Sequence, residues 1–278
     1  MEAGSGLQAD DIRRFHDDGF VYVRGAFAPE DARRMEDEWW SELMGSFGIR
    51  RGDRTTWWQM LGDLKGVKQS PLASRIASPR VGAVLDELLG AGEWEWPPDW
   101  GRPLVTFPEA GAWELPTGLW HWDSPAGWHR SRLNALFVVS FIARVEPGGG
   151  GTLLLAGSPR LLQRHEDSLS AEQLQSSAKR RRDMFHGSHP WLAALTGKAP
   201  SPADRKAAFM SGPTDIDGID ARVVELSGEP GDMVFCHPAI VHCIAPNRGD
   251  RPRFMRIRQQ LTTHGGRGLL AGVAPAMS

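Results

Sequence analysis

Residues 8–18 are polar and helix-compatible, and Asp18-Gly19 breaks that pattern before the short β-rich run Phe20-Val21-Tyr22-Val23. The expected opening is therefore helix, turn, strand. After Pro29, the apolar residues Ala32, Met35, Trp39 and Leu43 recur at threes and fours among acids and arginines, which predicts an amphipathic helix. Ser78-Pro79 starts another, with Val81, Val84, Leu85 and Leu88 as its apolar stripe and Gly90 where a left-handed terminator is wanted. From about Leu104 the pattern shortens to apolar runs separated by proline and glycine: Leu104 to Phe107, Leu133 to Arg144, Thr152 to Leu155, Arg222 to Leu226, Met233 to Phe235, and Phe254 to Leu261. Many short strands suggest a barrel or jelly roll, padded by the helices. A polar insertion between Leu161 and Asp220 holds one clear helix, with Ser170 and Gln173 as a capping box and Lys179 to Arg182 at the end that favours cations. No internal repeat, low-complexity tract or linker stands out, so residues 1–278 are expected to form a single domain. The segments 48–71 and 186–219 lack strand patterning and are long enough to reach over a barrel mouth, so they are expected to act as lids.

Composition narrows the partners. Of 278 residues 41% are hydrophobic, enough for an ample core, and the formal charge of -2 gives no general field for phosphate backbones or anionic lipids. Nucleic acid and membrane are therefore not expected as partners, and a small-molecule substrate is. The polar, acidic stretch Met1 to Asp11 lacks the features of a secretory signal, and no run of about eighteen apolar residues occurs, so a cytoplasmic location is expected. The two cysteines, Cys236 and Cys243, are too few for a disulfide framework. Oligomeric state is not legible.

The strongest chemical feature is His121-Trp122-Asp123, because residues two apart on a strand share a face and bring imidazole and carboxylate together. Alone, a His-x-Asp triplet is common, and its ordinary reading is a hydrogen-bonded pair. A neutral histidine from a distant strand would complete the two-histidine, one-carboxylate face that holds Fe(II) with coordination positions left open. His242 is the candidate, on a strand expected to run from Gly231 through Cys236 and His237 into a turn at Pro246 to Pro252. Arg253 follows eleven residues later. If that turn is centred between Asn247 and Arg248, positions 242 and 253 oppose each other across an antiparallel hairpin, and the guanidinium could grip a dicarboxylate co-substrate bidentately. Arg251 is the second choice, and Arg256 and Arg258 are expected to face solvent. Cys236, His237, His242 and Cys243 have the composition of a zinc site, yet strand alternation divides them between two faces. His186 and His189 read as surface histidines.

With these residues in place, the chain resembles the phytanoyl-CoA dioxygenase family of Fe(II)/2-oxoglutarate oxygenases from residue 8 to about 262. The likeness rests on the opening Phe15-His16-Asp17-Asp18-Gly19-Phe20-Val21, the helix ending Leu85 to Gly90, His121-x-Asp123, the loop Gly148-Gly149-Gly150-Gly151-Thr152-Leu153 running to Gly157-Ser158, and His242 with Arg253. It implies a mainly β fold with flanking helices around a double-stranded β-helix, the jelly-roll or cupin-like core. It also implies Fe(II) on His121, Asp123 and His242, with 2-oxoglutarate and O2 as co-substrates and Arg253 on the co-substrate's carboxylate. One departure stands out: the family commonly has a small hydroxyl residue two positions after the distal histidine, and this chain has Ile244. Thr106 or Thr152 is a candidate for the replacement contact.

Seven of the twelve tryptophans fall between Trp94 and Trp128, close in sequence to the proposed ligands. Trp120 and Trp128 are candidates for a substrate pocket suited to an apolar or aromatic molecule, and Trp57 and Trp58 for a lid; Trp122 is expected to pack. The expected activity is a dioxygenase that hydroxylates such a molecule while 2-oxoglutarate becomes succinate. Its rivals are a jelly-roll protein that binds a metal or small molecule without turnover, and a zinc-dependent hydrolase.

Overall fold

The computed structural model describes residues 6–58, 64–124, 128 and 133–263. Part of the expected lid at 48–71, residues 59–63, lies outside them. Helix α1 (Ala9–Asp18) stops where Gly19 takes a φ of 87° and donates its N–H to Phe15, which turns the chain into β1 (Phe20–Val23). Helix α2 (Pro29–Phe47) buries Ala32, Met35, Trp39, Trp40 and Leu43 and ends at Gly48. A short helix α3 (Lys65–Lys68) precedes α4 (Pro79–Leu89), whose first turn is capped by Ser78 Oγ accepting from Val81 N at 3.1 Å.

Two antiparallel sheets follow. Strands β2 (Arg102–Thr106), β3 (Ala135–Phe141), β7 (Met233–Cys236) and β9 (Arg253–Leu261) join β1 in the order β1-β7-β3-β9-β2. Strands β5 (Thr214–Ile216), β6 (Ile219–Glu225), β4 (Thr152–Ala156) and β8 (Val241–Ile244) form the second sheet in that order. Alternation along each strand sorts the apolar residues into three layers. Phe137, Val139, Phe141, Leu154, Ala156, Val234 and Met255 pack together as one cluster. On the other face of the five-stranded sheet, Leu136, Val138, Phe235 and Phe254 meet α2 and α4. On the other face of the four-stranded sheet, Leu153, Leu155, Val223 and Val241 meet residues of the insertion.

That insertion is more helical than its sequence suggests. It contains α5 (Ser158–Asp167), α6 (Ala171–Leu174), α7 (Ala178–His186), α8 (Pro190–Leu195) and α9 (Arg205–Met210). More described residues lie in helices than in strands, so the molecule is mixed α/β instead of mainly β. Helices α6 to α9 are too short to display an apolar period; α6 buries no side chain, and the others bury only a few, such as Phe185, Leu192, Leu195 and Phe209. Segment 186–219 also contains β5, contrary to its expected lack of strands. The capping box at Ser170 is present, but its helix stops at Leu174, and Ser177 caps a new one. Lys179 to Arg182 therefore sit in the first turns of α7, the end where the helix dipole disfavours cations.

Three further expectations are corrected by packing. Gly231 to His242 is not one strand: Pro238 lies in a turn closed by Ile240 N–H to His237 O at 2.9 Å, so β7 and β8 belong to different sheets. Nor do β8 and β9 form a hairpin, because β8 pairs with β4 while β9 pairs with β2 and β3. The link between them is held by buried Asn247, whose Nδ2 donates to Thr106 O at 3.0 Å and Arg251 O at 2.9 Å. Finally, Arg256 and Arg258 are not solvated. Arg256 is 1% exposed and donates to Val67 O, and Arg258 pairs with Asp99 at 2.9 Å.

Candidate metal centre

His121 and His242 are direct cross-strand neighbours. Each donates its backbone N–H to the other's carbonyl, at 3.0 and 2.8 Å, in an isolated antiparallel bridge beside β8. Their rings lie 4.2 Å apart between centroids. On the far side of β8, His242 pairs with Leu154 of β4, and its ring stacks on Phe137 of β3 at 4.9 Å and 17°. Stacking and burial fix this imidazole between the sheets.

The ring nitrogens are divided by role. The Leu119 carbonyl accepts from His121 Nδ1 at 2.7 Å, and the Ile240 carbonyl accepts from His242 Nδ1 at 3.1 Å. Both Nε2 atoms are then left as lone-pair donors, the usual outer-sphere arrangement of metal-binding histidines. They face one carboxylate: His121 Nε2 lies 4.0 Å from Asp123 Oδ1, and His242 Nε2 lies 3.9 Å from Asp123 Oδ2. One ligand atom from each of the three lies within 4.8 Å of the others, the one such group among the described residues. Burial, then the neighbouring His121, lower the His242 pKa, which keeps the ring neutral and able to ligate. Two imidazole nitrogens and a carboxylate within bonding span of a common point fit a divalent metal that accepts nitrogen and oxygen ligands.

The alternative cysteine-containing set does not assemble. Cys236 belongs to the cluster between the sheets, where burial raises its thiol pKa far above the usual range. His237 accepts from Ala239 N at 3.0 Å and lies against Trp128.

Arg253 is 1% exposed and pairs in register with Thr106 of β2. It donates through Nη2 to Thr106 Oγ1 at 2.6 Å and through Nη1 to the Gly150 carbonyl, while its buried Nε has no partner. No carboxylate lies within 4 Å of it among the described residues. Burial lowers this guanidinium to about 10, with Glu225 opposing the shift. An interior cation with a spare donor and no contacting counter-anion suits the carboxylate of a dicarboxylate co-substrate. Sequence reasoning reached Arg253 through a hairpin that does not exist. What joins the two segments is the glycine-rich loop, since Arg253 donates to Gly150, two residues before Thr152, which pairs with Ile244, two residues past His242. Arg251 is largely exposed.

The aromatic candidates divide. Trp120 is buried, donates to Pro116 O at 3.0 Å and lines a cavity of about 550 Å³ that His121 also borders. Trp128 packs on His237 at 4.1 Å and does not line that cavity. Trp57 packs between Trp40 and Phe107 and lines a different cavity with Arg251 and Arg144, while Trp58 is exposed against Phe47. Trp122 is buried against Phe185 at 5.5 Å. The sequence missed Phe137 and the Leu119 and Gly150 carbonyls, which leave no local signal, and it read the basic run on the cavity's charged wall only as a helix end. His186, read as a surface residue, is buried on that wall.

No family model and no curated protein matches this chain. Solved structures do. The non-haem α-ketoglutarate-dependent carbocyclase SnoK from nogalamycin biosynthesis aligns over 97% of this chain and 92% of its own, at 16% identity and a TM-score of 0.52. EvdO2 from Micromonospora carbonacea var. aurantiaca, complexed with 2-oxoglutarate, aligns over 95% and 94% at 15% identity and 0.50. HygX from Streptomyces hygroscopicus, with nickel and 2-oxoglutarate bound, covers 93% and 88% at 13% identity and 0.50. The fold is shared with non-haem 2-oxoglutarate-dependent enzymes. At such identities the likeness is one of fold, and the site must be argued from its own geometry. No helix among the described residues is long and apolar enough to cross a membrane.

Proposed function

We propose that this chain is a non-haem Fe(II)- and 2-oxoglutarate-dependent dioxygenase, similar to the phytanoyl-CoA dioxygenases and built on their jelly-roll core, that oxidises a small organic molecule. The observation that carries the reading is the convergence of His121 Nε2, His242 Nε2 and Asp123, with both Nδ1 atoms committed to backbone carbonyls. These three residues would hold iron through two imidazole nitrogens and one carboxylate. Bound iron with 2-oxoglutarate and O2 supplies the oxidising equivalent, and 2-oxoglutarate becomes succinate and CO2.

The chain's own work is positioning. His121 and His242 are locked by their shared bridge, so the two nitrogens keep a fixed separation. Phe137 covers one face of the His242 ring and excludes water from it. Arg253, steadied by Thr106, offers its unpartnered Nε–H to the distal carboxylate of 2-oxoglutarate. Thr152 is the further contact, beside the Ile244 that replaces the family's hydroxyl. Segment 186–219 serves as the lid, because His186, Thr196 and Lys198 border the cavity beside His121. Hydroxylation is the default outcome, and ring closure, the activity named for SnoK, is the alternative outcome.

Anaerobic addition of Fe(II) and then 2-oxoglutarate should produce the weak visible charge-transfer band of the chelate, and admission of air should release succinate. Metal binding with neither band nor succinate would overturn the assignment in favour of a non-catalytic metal site.

A further inference from the structure

The first turns of α7 carry Lys179, Arg180, Arg181 and Arg182 where the helix dipole repels positive charge, so helix stability gives no reason for them. Arg181 donates to Leu174 O and Ser176 O, which closes the end of α6. Lys179, Arg182, Asp183 and His186 recur at three- and four-residue spacing, hence share one face of the helix, and all four line the cavity beside His121. Lys198, also on this wall, pairs with Asp183 at 2.6 Å and takes up the wall's single carboxylate. Neither Lys179 nor Arg182 has an ion-pair partner among the described residues. His186, 7% exposed, reaches the same wall with a buried Nε2 that has no hydrogen-bond partner.

The lining also has an apolar part. Leu119 is 76% exposed and Ile244 40%, two of the few large apolar side chains the fold leaves in solvent, and both line this cavity with Trp120. Leu119 also holds a left-handed φ of 65°, a strained state for leucine. That conformation is tied to the hydrogen bond its carbonyl accepts from His121. Ile244 stands two residues past His242, so the residue that departs from the family's pattern belongs to this apolar part.

We propose that this cavity binds the substrate as an amphipathic organic acid, with its anionic group on Lys179, Arg182 and the His186 Nε2–H, and its apolar body on Leu119, Trp120 and Ile244. The assignment of this acid as the molecule oxidised rests on the proposed metal centre at His121, Asp123 and His242; the binding site itself does not. A volume of about 550 Å³ holds a bicyclic aromatic acid with room to spare.

Displacement of 8-anilinonaphthalene-1-sulfonate from the full chain by 2-naphthoate and by methyl 2-naphthoate tests the site without turnover. Naphthoate should compete at least tenfold more strongly than its ester, and added salt should erode that preference. Lys179→Gln with Arg182→Gln should abolish the preference, whereas Arg180→Gln, on the same helix but off the cavity wall, should keep it. Leu119→Ser should weaken acid and ester alike. Equal competition by acid and ester, or a preference that survives the Lys179/Arg182 double variant, overturns the proposal. A preference that behaves as expected in a protein yielding no 2-oxoglutarate-dependent succinate would leave the acid site standing and remove only the oxygenase reading.

Discussion

Replacing Arg253 by methionine separates co-substrate binding from folding more sharply than any other change. The guanidinium is buried, donates to one hydroxyl and one carbonyl, and has a spare Nε–H. Methionine fills similar space without charge. A hydrogen bond to a charged group is worth about 1.5–3 kcal/mol, so 2-oxoglutarate should bind roughly ten- to more than a hundredfold more weakly. Stability in the absence of co-substrate should change much less. The variant strands the Gly150 carbonyl, at about 1–3 kcal/mol, but it also relieves the burial of a charge with no contacting counter-anion, and the two effects oppose each other. The assay is an anaerobic titration of the Fe(II) protein with 2-oxoglutarate, followed at the charge-transfer band, alongside thermal unfolding with and without co-substrate. Arg253→Lys should fall between wild type and methionine, because lysine keeps the charge and loses the planar fork. An unchanged co-substrate constant in Arg253→Met refutes the reasoning, and a large loss in Arg251→Met would move the role to the preceding turn.

His121→Ala should lose metal uptake, read by equilibrium dialysis, with little change in melting temperature, because the side chain is part-exposed and outside the core. His242→Ala should lose metal uptake and also destabilise by about 1–3 kcal/mol, since it leaves a void against Phe137. Arg256→Met should destabilise by about 1–3 kcal/mol in urea unfolding, through the stranded Val67 and Lys68 carbonyls, without altering 2-oxoglutarate affinity. For acid sensitivity, burial pushes His237 down to about 3 and His186 down to about 4, against an ordinary value of 6.5. Between these limits the unfolded chain binds protons that the folded chain refuses, so stability falls as pH drops below about 6.5, by at most about 1.4 kcal/mol per pH unit per histidine. His237→Gln should flatten that slope in unfolding measured from pH 7 to 4, and an unaltered slope would show that this histidine is not held neutral.

The local pattern alone was enough to define α1, α2, α4 and most strands, because caps, glycine terminators and alternation act within a few residues of one another. The same range covers the pairing of His121 with Asp123, although no strand carries them: His121 makes only an isolated bridge to His242, and Asp123 lies in irregular chain. Everything that depends on which strand lies beside which was beyond that range. Residues 242 and 253 satisfy the arithmetic of a hairpin, yet Asn247 ties their connection to β2 and the strands enter different sheets, so Arg253 faces Thr106 instead of His242. Likewise, the basic run after Ser177 reads as a helix end until the break at Leu174 turns it into a beginning, and only packing aims its face at the cavity beside His121. Side-chain periodicity is set by bonds along the chain and is written there residue by residue. Sheet order is set by which apolar faces bury one another best, a comparison among distant segments that no single segment carries.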